Sequence, residues 1–287
     1  MYKFDPNGEP PEMALRAIAI DQLDEALSDL DEPDSSERSA VHEARRRTKK
    51  LRGLLRLVRA GFDDFETENA ALRDAAGVLS HLRDREVQHE TLAALAEWRS
   101  TPLLTRLLAS DTVAPHDDRP ALDEFRARLQ ELRHRADKWT LSRPGTETLA
   151  RGLRRNYRAA RRRMHRARRD DAPEQFHEWR KGNKAHGFQL DLLRKAAPET
   201  IEGDLDVVDK LSAVLGQHHD LVVLRMAAEQ NHLPLAAPDE VDELTALIAE
   251  RLDELERDAF ELGRQVYAER PRGFVRRMMA YWSSAAS

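Results

Sequence analysis

The sequence predicts an all-α protein. Strand signals are almost absent: the β-branched clusters Val207-Val208 and Val222-Val223 are short and lie inside stretches of helical period. Ala, Leu, Arg, Glu and Asp dominate, while Pro and Gly fall mainly between periodic blocks. The chain also resembles itself at a nearly fixed distance, the mark of a duplicated unit.

Taken in order, the periodic blocks place helices near 11–31, 36–60, 64–82, 84–99 and 119–141. A second series falls near 146–169, 172–196, 199–216, 219–231 and 238–268. Ser100–Arg119, with Pro102 and Pro115, reads as a linker with one short helix around Leu103–Leu108. Pro234–Pro238 is another break. Beyond Pro271, the residues Phe274, Met278, Met279, Tyr281 and Trp282 form an apolar set expected to pack before the chain frays at Ser283–Ser287.

Val41-His42-Glu43-Ala44-Arg45-Arg46 aligns with Phe176-His177-Glu178-Trp179-Arg180-Lys181 at an offset of 135 residues, which also pairs Lys49 with Lys184, Leu55 with Leu190 and Arg59 with Arg194. Val78-Leu79 and Asp84 align with Val214-Leu215 and Asp220 at an offset of 136. A loop insertion explains the slip of one. The expected organisation is one domain, 1–287, built from helical repeats 11–142 and 146–282 packed with approximate internal symmetry.

A chain of 287 residues buries a sizeable core. With no Cys, disulfides, thiolate metal sites and Cys nucleophiles are excluded, and the composition suits a reducing compartment. No stretch approaches 18 consecutive apolar residues, and MYKFDPNGEPPEM has no apolar signal core, so a cytoplasmic protein is expected. The net charge of −5, from 47 Lys+Arg against 52 Asp+Glu, taken whole argues against a polyanion binder. Yet only 8 of the 47 cations are Lys; the rest are Arg, whose planar fork suits phosphate and carboxylate.

Helical angles decide where those arginines point. In 36–60, Val41, Ala44, Thr48, Leu51, Leu55 and Val58 share a stripe, and His42, Arg45, Lys49, Arg52 and Arg56 share the neighbouring face, with Arg46 and Arg59 at its margins. That row is about 20 Å long at 1.5 Å rise per residue. In 146–169, Leu149, Leu153, Tyr157, Ala160, Met164 and Ala167 form the buried stripe, and Arg151, Arg155, Arg158, Arg162 and Arg169 run opposite, flanked by Arg154, Arg161, His165 and Arg166. From Glu147 to Lys184 the chain has 13 Lys+Arg against 5 Asp+Glu. His177, Arg180 and Lys184, with Lys181 beside them, make a third row. A solvated face is the ordinary explanation of a charge run. Here the rows are single-signed, recur in both halves and leave no acids interleaved, which favours a polyanion ligand. The rows carry almost no aromatic residues on which bases would stack, and no helix-turn-helix, zinc-finger or RNP pattern is present; a bare phosphate chain fits better than RNA or DNA.

Other chemistries find little support. Neither His42-Glu43 nor His177-Glu178 completes H-E-x-x-H, since Arg46 and Lys181 hold the last position, and a cation would be repelled from these rows. His218-His219 points its two rings about 100° apart. No P-loop, dinucleotide turn or nucleophile elbow occurs. Asp84 and Asp220 are expected to begin their helices as caps or to pair with a basic row. No catalytic residue, metal or cofactor is assigned.

These residues resemble the CHAD domain, the conserved-histidine α-helical domain, over nearly the whole chain. The family's V-H-x-x-R-x-x-x-R-R-L-R stands as Val41-His42-Glu43-Ala44-Arg45-Arg46-Arg47-Thr48-Lys49-Lys50-Leu51-Arg52. Its H-x-x-R-K-x-x-K-x-x-R-Y stands as His177, Arg180, Lys181 and Lys184, then departs at Gly187-Phe188. L-G-x-x-x-D appears as Leu215-Gly216-Gln217-His218-His219-Asp220, and its first-half counterpart, Leu79-Ser80-His81-Leu82-Arg83-Asp84, keeps Arg83-Asp84. The Arg-rich helix from Arg151 and the ending Tyr267-Ala268-Glu269-Arg270-Pro271 are also similar.

The resemblance implies two helical bundles related by a pseudo-twofold, with basic helices lining a central cavity that binds inorganic polyphosphate without catalysis. It further implies association with polyphosphate granules in bacteria and archaea. On this sequence the implied binding set is His42, Arg45, Arg46, Lys49, Lys50, Arg52, Arg56, Arg83, Arg151, Arg155, Arg158, Arg162, His177, Arg180, Lys181 and Lys184. Some relatives are fused to a triphosphatase marked by an E-x-E-x-K strand; that motif is absent here, so a polyphosphate-metabolising partner enzyme would be a separate chain. The alternative left open by the residues is a helical scaffold for nucleic acid or an acidic protein.

Overall fold

The computed structural model describes residues 2–31, 37–79, 81–110, 119–170 and 172–286, and the side chains of all of these except 37–40 and 81–86. Among the described residues there is no strand. The α-helices are α1 (Pro11–Asp31), α2 (Glu37–Val58), α3 (Phe65–Val78), α4 (His81–Trp98), α5 (Pro102–Ser110), α6 (Arg119–Ala136), α7 (Gly145–Asp170), α8 (Pro173–Leu192), α9 (Pro198–Glu229), α10 (Pro238–Val266) and α11 (Pro271–Ala285). A 3-10 turn, Arg194–Ala196, links α8 to α9. Proline opens α1, α5, α8, α9, α10 and α11, where its missing N–H leaves no intrahelical bond unmade.

Several elements differ from the sequence expectation: α6 ends at Ala136 where 141 was expected, and the helix expected at 172–196 ends at Leu192 before the 3-10 turn. Residues 199–216 and 219–231 are one helix, α9. Gly216 costs about 1 kcal/mol against Ala in a helix interior. Yet the buried positions Leu211, Leu215, His218, Leu221 and Leu224 continue at helical spacing across it and outweigh that penalty. Asp220 therefore lies mid-helix and caps nothing. Asp84 falls in the first turn of α4, with its side chain outside the described residues. The tail is helical to Ala285, because Phe274, Met278 and Trp282 form a buried stripe. The short helix expected at 103–108 extends to Pro102–Ser110 on Leu103, Leu104 and Leu107.

Helices α1, α2, α3 and α6 pack in a ring, each touching its two neighbours, and α7, α8, α9 and α10 form a second ring. The rings meet where α2 packs on α7 and α8. One core runs through both, from Phe4 and Leu15 through Leu54, Phe125 and Leu153 to Trp179 and Phe274. A smaller core sits apart: α4 and α5 bring Leu92, Leu95, Leu103, Leu104 and Leu107 against Leu224, Leu244 and Ile248 of α9 and α10. Val214 borders both cores. Among the described residues no helix is long and apolar enough to cross a membrane.

Glycines set the closest crossings between α2, α7 and α8. A Cβ on Gly152 of α7 would lie 1.7 Å from the Leu57 carbonyl oxygen of α2. One on Gly53 of α2 would lie 2.8 Å from Phe188 Cβ of α8, and one on Gly182 of α8 would lie 3.1 Å from Ala160 Cβ of α7. The Gly152 neighbour is backbone and cannot rotate away. Gly152→Ala is expected to lower stability by about 1–3 kcal/mol or more. Gly216→Ala, with nothing within 4 Å of the added carbon, is expected to raise it by about 0.5–1 kcal/mol. Urea midpoints with unchanged m-values check both.

Candidate anion-binding site

Helix α2 carries the first basic row along the flank of its buried stripe. Arg45 donates from Nη1 to the Leu79 carbonyl, and Arg52 Nε donates to Asn69 Oδ1 at 3.3 Å. Burial, followed by the neighbouring guanidinium of Arg52 and that of Arg163, pulls Arg56 down to about 10. Burial, with Arg73 nearby, also lowers Arg52. Lys49 is half-buried, and His42 and Arg46 are exposed, Arg46 lying 3.4 Å from Glu43. Lys50 points elsewhere: its ammonium is 4.8 Å from the Tyr2 ring centroid and 3.8 Å from Asp191. Arg47 turns to α1, where Nε donates to Asp29 at 2.6 Å and Nη1 bonds Glu25.

Helix α7 carries the second row. Arg151 is held by Glu147 at 2.5 Å. Arg155, Arg158 and Arg162 are exposed and have no ion-pair partner among the described residues. Arg163, which the sequence reading did not single out, belongs to the junction. It crosses α8 over Gly182, lies 3.3 Å from Glu178 and is felt by Arg56. Asn156 fixes α7 to α2 beside it, donating from Nδ2 to the Arg56 carbonyl at 3.1 Å.

Helix α8 is buried on most sides, and its third row is half-buried at His177, Arg180 and Lys184. Lys181 is exposed and donates to Glu178 at 2.8 Å. The row ends where the family pattern departs. Gly187 meets Val208 of α9, with 3.1 Å left for a Cβ, and Phe188 packs over Gly53, so both positions serve helix contact. The side chain of Arg83 lies outside the described residues.

The two α9 histidines diverge. His218 is buried, stacked on Phe176 at 4.4 Å, with Nε2 3.1 Å from Glu256. His219 stacks on His177 with ring centroids 4.6 Å apart, and its Nδ1 is 3.1 Å from Asp220 Oδ1. Sequence reasoning missed this pairing of α8 with α9, because stacking needs the continuous α9. Burial first, then Lys181 and the neighbouring His219 and Arg180, push His177 down to about 4. It is therefore neutral at pH 6–8 in the unliganded protein and donates from at most one ring nitrogen there. Among the described residues no group of three or more His, Asp or Glu is placed to hold a metal.

Fold and site together define an all-helical protein in which three helices that carry basic rows, one from the first ring and two from the second, pack on one another. The CHAD domain family matches residues 17–229, and the chain belongs to that family. Helices α10 and α11 lie beyond the matched region. A solved structure, PptA from Streptomyces chartreusis, is similar in fold, with 18% identity and a TM-score of 0.60, covering 91% of this chain and 100% of its own. No curated protein is found to match the chain.

The buried His186 sets an acid limit on stability. His186 is enclosed by Tyr157, Tyr267 and Phe274, and burial pushes it down to about 3. Unfolded, it would protonate near 6.5. The unfolded state thus binds more protons below that value, so stability is full above pH 6.5 and falls as pH drops toward 3. His186→Leu is expected to remove up to about 1.4 kcal/mol per pH unit of that slope between pH 6 and 4. Urea midpoints across this range check it.

Proposed function

We propose that the chain binds inorganic polyphosphate without catalysis, through the basic faces of α2, α7 and α8, and that this binding targets it to polyphosphate granules in the cytoplasm. The observation that carries the proposal is the exposed set Arg155, Arg158 and Arg162, with no carboxylate partner among the described residues, on a helix packed against two other basic helices. Membership of the CHAD family supports it, since some members bind polyphosphate. No aromatic side chain among the described residues is exposed, so the surface offers no stacking platform for bases.

The helix contacts support a duplicated architecture. On this proposal α1, α2, α3 and α6 correspond to α7, α8, α9 and α10, because each ring closes with the same neighbour pattern. The basic rows then face a shared cavity where the rings meet, and the chain is one domain. Arg45, Lys49, Arg52, Arg56, Arg180 and Lys184 line it from α2 and α8, His42, Arg46 and Lys181 stand nearer its ends, and His177 is a neutral wall beside His219. Lys50 and Arg151 act as second-rank contacts, each leaving a carboxylate to reach phosphate. A polyphosphate-metabolising enzyme is a separate chain in this scheme.

Calorimetric titration with size-graded polyphosphate tests the proposal. The triple change Arg155→Ala, Arg158→Ala and Arg162→Ala is expected to weaken binding at least about tenfold, or 1.4 kcal/mol, with far-UV circular dichroism unchanged. Displacement of polyphosphate by RNA or DNA at equal phosphate concentration would favour a nucleic-acid scaffold instead. Release of orthophosphate during incubation would make the protein an enzyme.

A further inference from the structure

Helix α7 has a second flank, where Arg154 and Arg161 stand at the margin of its basic row. Tyr157 stacks on Phe274 of α11 at 4.3 Å and 8°, and its hydroxyl donates to the Val266 and Glu269 carbonyls at 3.2 Å. One turn further on, Arg161 Nε donates to the Tyr267 carbonyl at 3.1 Å. This side of α7 therefore runs along the 266–274 segment, on the far side of the helix from the α2 crossing at Gly152. Arg154 lies seven residues before Arg161, within about 20° of it around the helix and about 10.5 Å along the same edge.

Across that edge the segment is itself basic. From 264 to 277 the ionisable side chains other than Tyr267 are Arg264, Arg270, Arg272, Arg276, Arg277 and a single carboxylate, Glu269. Glu269 is taken by Arg277, at 2.9 Å, which also bonds Asp204. Arg154, Arg270, Arg272 and Arg276 are all exposed and have no ion-pair partner among the described residues. Arg272 and Arg276 are one turn apart on the outer side of α11, opposite its buried Phe274, Met278 and Trp282. With the apolar face of α11 turned inward, the ridge offers charge and no insertion surface to a bilayer.

We propose that this ridge, Arg154 with Arg270, Arg272 and Arg276, is a second and outer polyphosphate track, so that α7 holds one phosphate chain on each flank. It rests on the polyphosphate reading of the inner faces and goes beyond it, because α11 lies outside the region matched by the family. Two tracks facing different directions make the protein bivalent. One copy then bridges two chains, or two stretches of a long one, and overall avidity rises without any new contact.

The test compares wild type with the outer triple variant Arg154→Ala, Arg272→Ala and Arg276→Ala and with its Arg→Lys counterpart. Titration with short polyphosphate is expected to give two chains per protein for wild type and one for the Ala variant, the remaining affinity unchanged. The Lys variant is expected to keep the second site. With long chains, wild type forms scattering assemblies and the Ala variant does not, and the slope of log K against log salt falls by about 2, for three lost phosphate contacts at about 0.7 each. One chain per protein in wild type, or a stoichiometry and slope that survive the Ala variant, overturns the outer track while leaving the inner one standing. Preference of the ridge for vesicles of anionic lipid or for duplex DNA overturns the ligand. If the Arg155, Arg158 and Arg162 variant and wild type both fail to bind polyphosphate, the proposed function itself falls.

Discussion

The crossing of α7 over α2 brings the Leu57 carbonyl so near Gly152 that no side chain fits between the backbones. Two helices rich in arginine approach this closely only because their apolar stripes are held on the same core, with Leu54 and Leu57 from α2 and Leu149 and Leu153 from α7 all buried. Repulsion between like charges acts over several ångströms in water and is screened, whereas each buried Leu contributes about 1.5–3 kcal/mol. Packing wins, and Arg56 of α2 is left within electrostatic reach of Arg163 of α7. Burial lowers both Arg52 and Arg56, and at Arg56 the neighbouring guanidinium groups of Arg52 and Arg163 add to it. On the proposed function, releasing the crossing would separate the rows on α2 and α7.

Carboxylates are distributed to leave that junction short of negative charge. Asp24, Glu25, Asp29 and Asp31 of α1 hold Arg133, Arg47 and Arg126, stitching the first ring together. Glu68 takes Arg135 in a two-point bond, and Asp191 takes Arg194. Glu178 stands alone between Arg163 and Lys181, shared by both. A protein of net charge −5 therefore has most of its acids engaged or turned outward, and its total says nothing about its most cationic helix.

Helical period made the element order legible, as the matches at Pro11–Asp31, Pro238–Val266 and the α7 stripe show. The angle between a buried stripe and its neighbouring face located Arg155, Arg158 and Arg162 without coordinates. What was not legible depends on contacts between distant segments. Gly53, Gly152 and Gly182 read locally as weak points in helices, and only the facing backbones and side chains explain them. Arg163 was not singled out, because its partner, Glu178, belongs to another helix. Gly216 suggested a break that the long buried stripe of α9 overrides. The docking of α4 and α5 on α9 and α10 joins residues more than a hundred positions apart, beyond the reach of any periodicity.

His177 links the electrostatics to the ligand. A partly buried imidazole stays neutral chiefly because burial penalises its charged form, and the nearby Lys181, His219 and Arg180 add to that. Its buried Nδ1 has no hydrogen-bond partner among the described residues. A phosphate chain entering the junction supplies the missing negative charge, which on the proposed function raises the proton affinity of His177 and Arg56 together. Linkage is reciprocal: a ligand that favours proton uptake binds more tightly as protons become available. The coupling grows as pH falls toward the low unliganded value of His177, while His186 destabilises the fold over the same interval. Tight binding and stability thus pull in opposite directions in acid, and the bound chain itself offsets part of the loss by binding only the folded state.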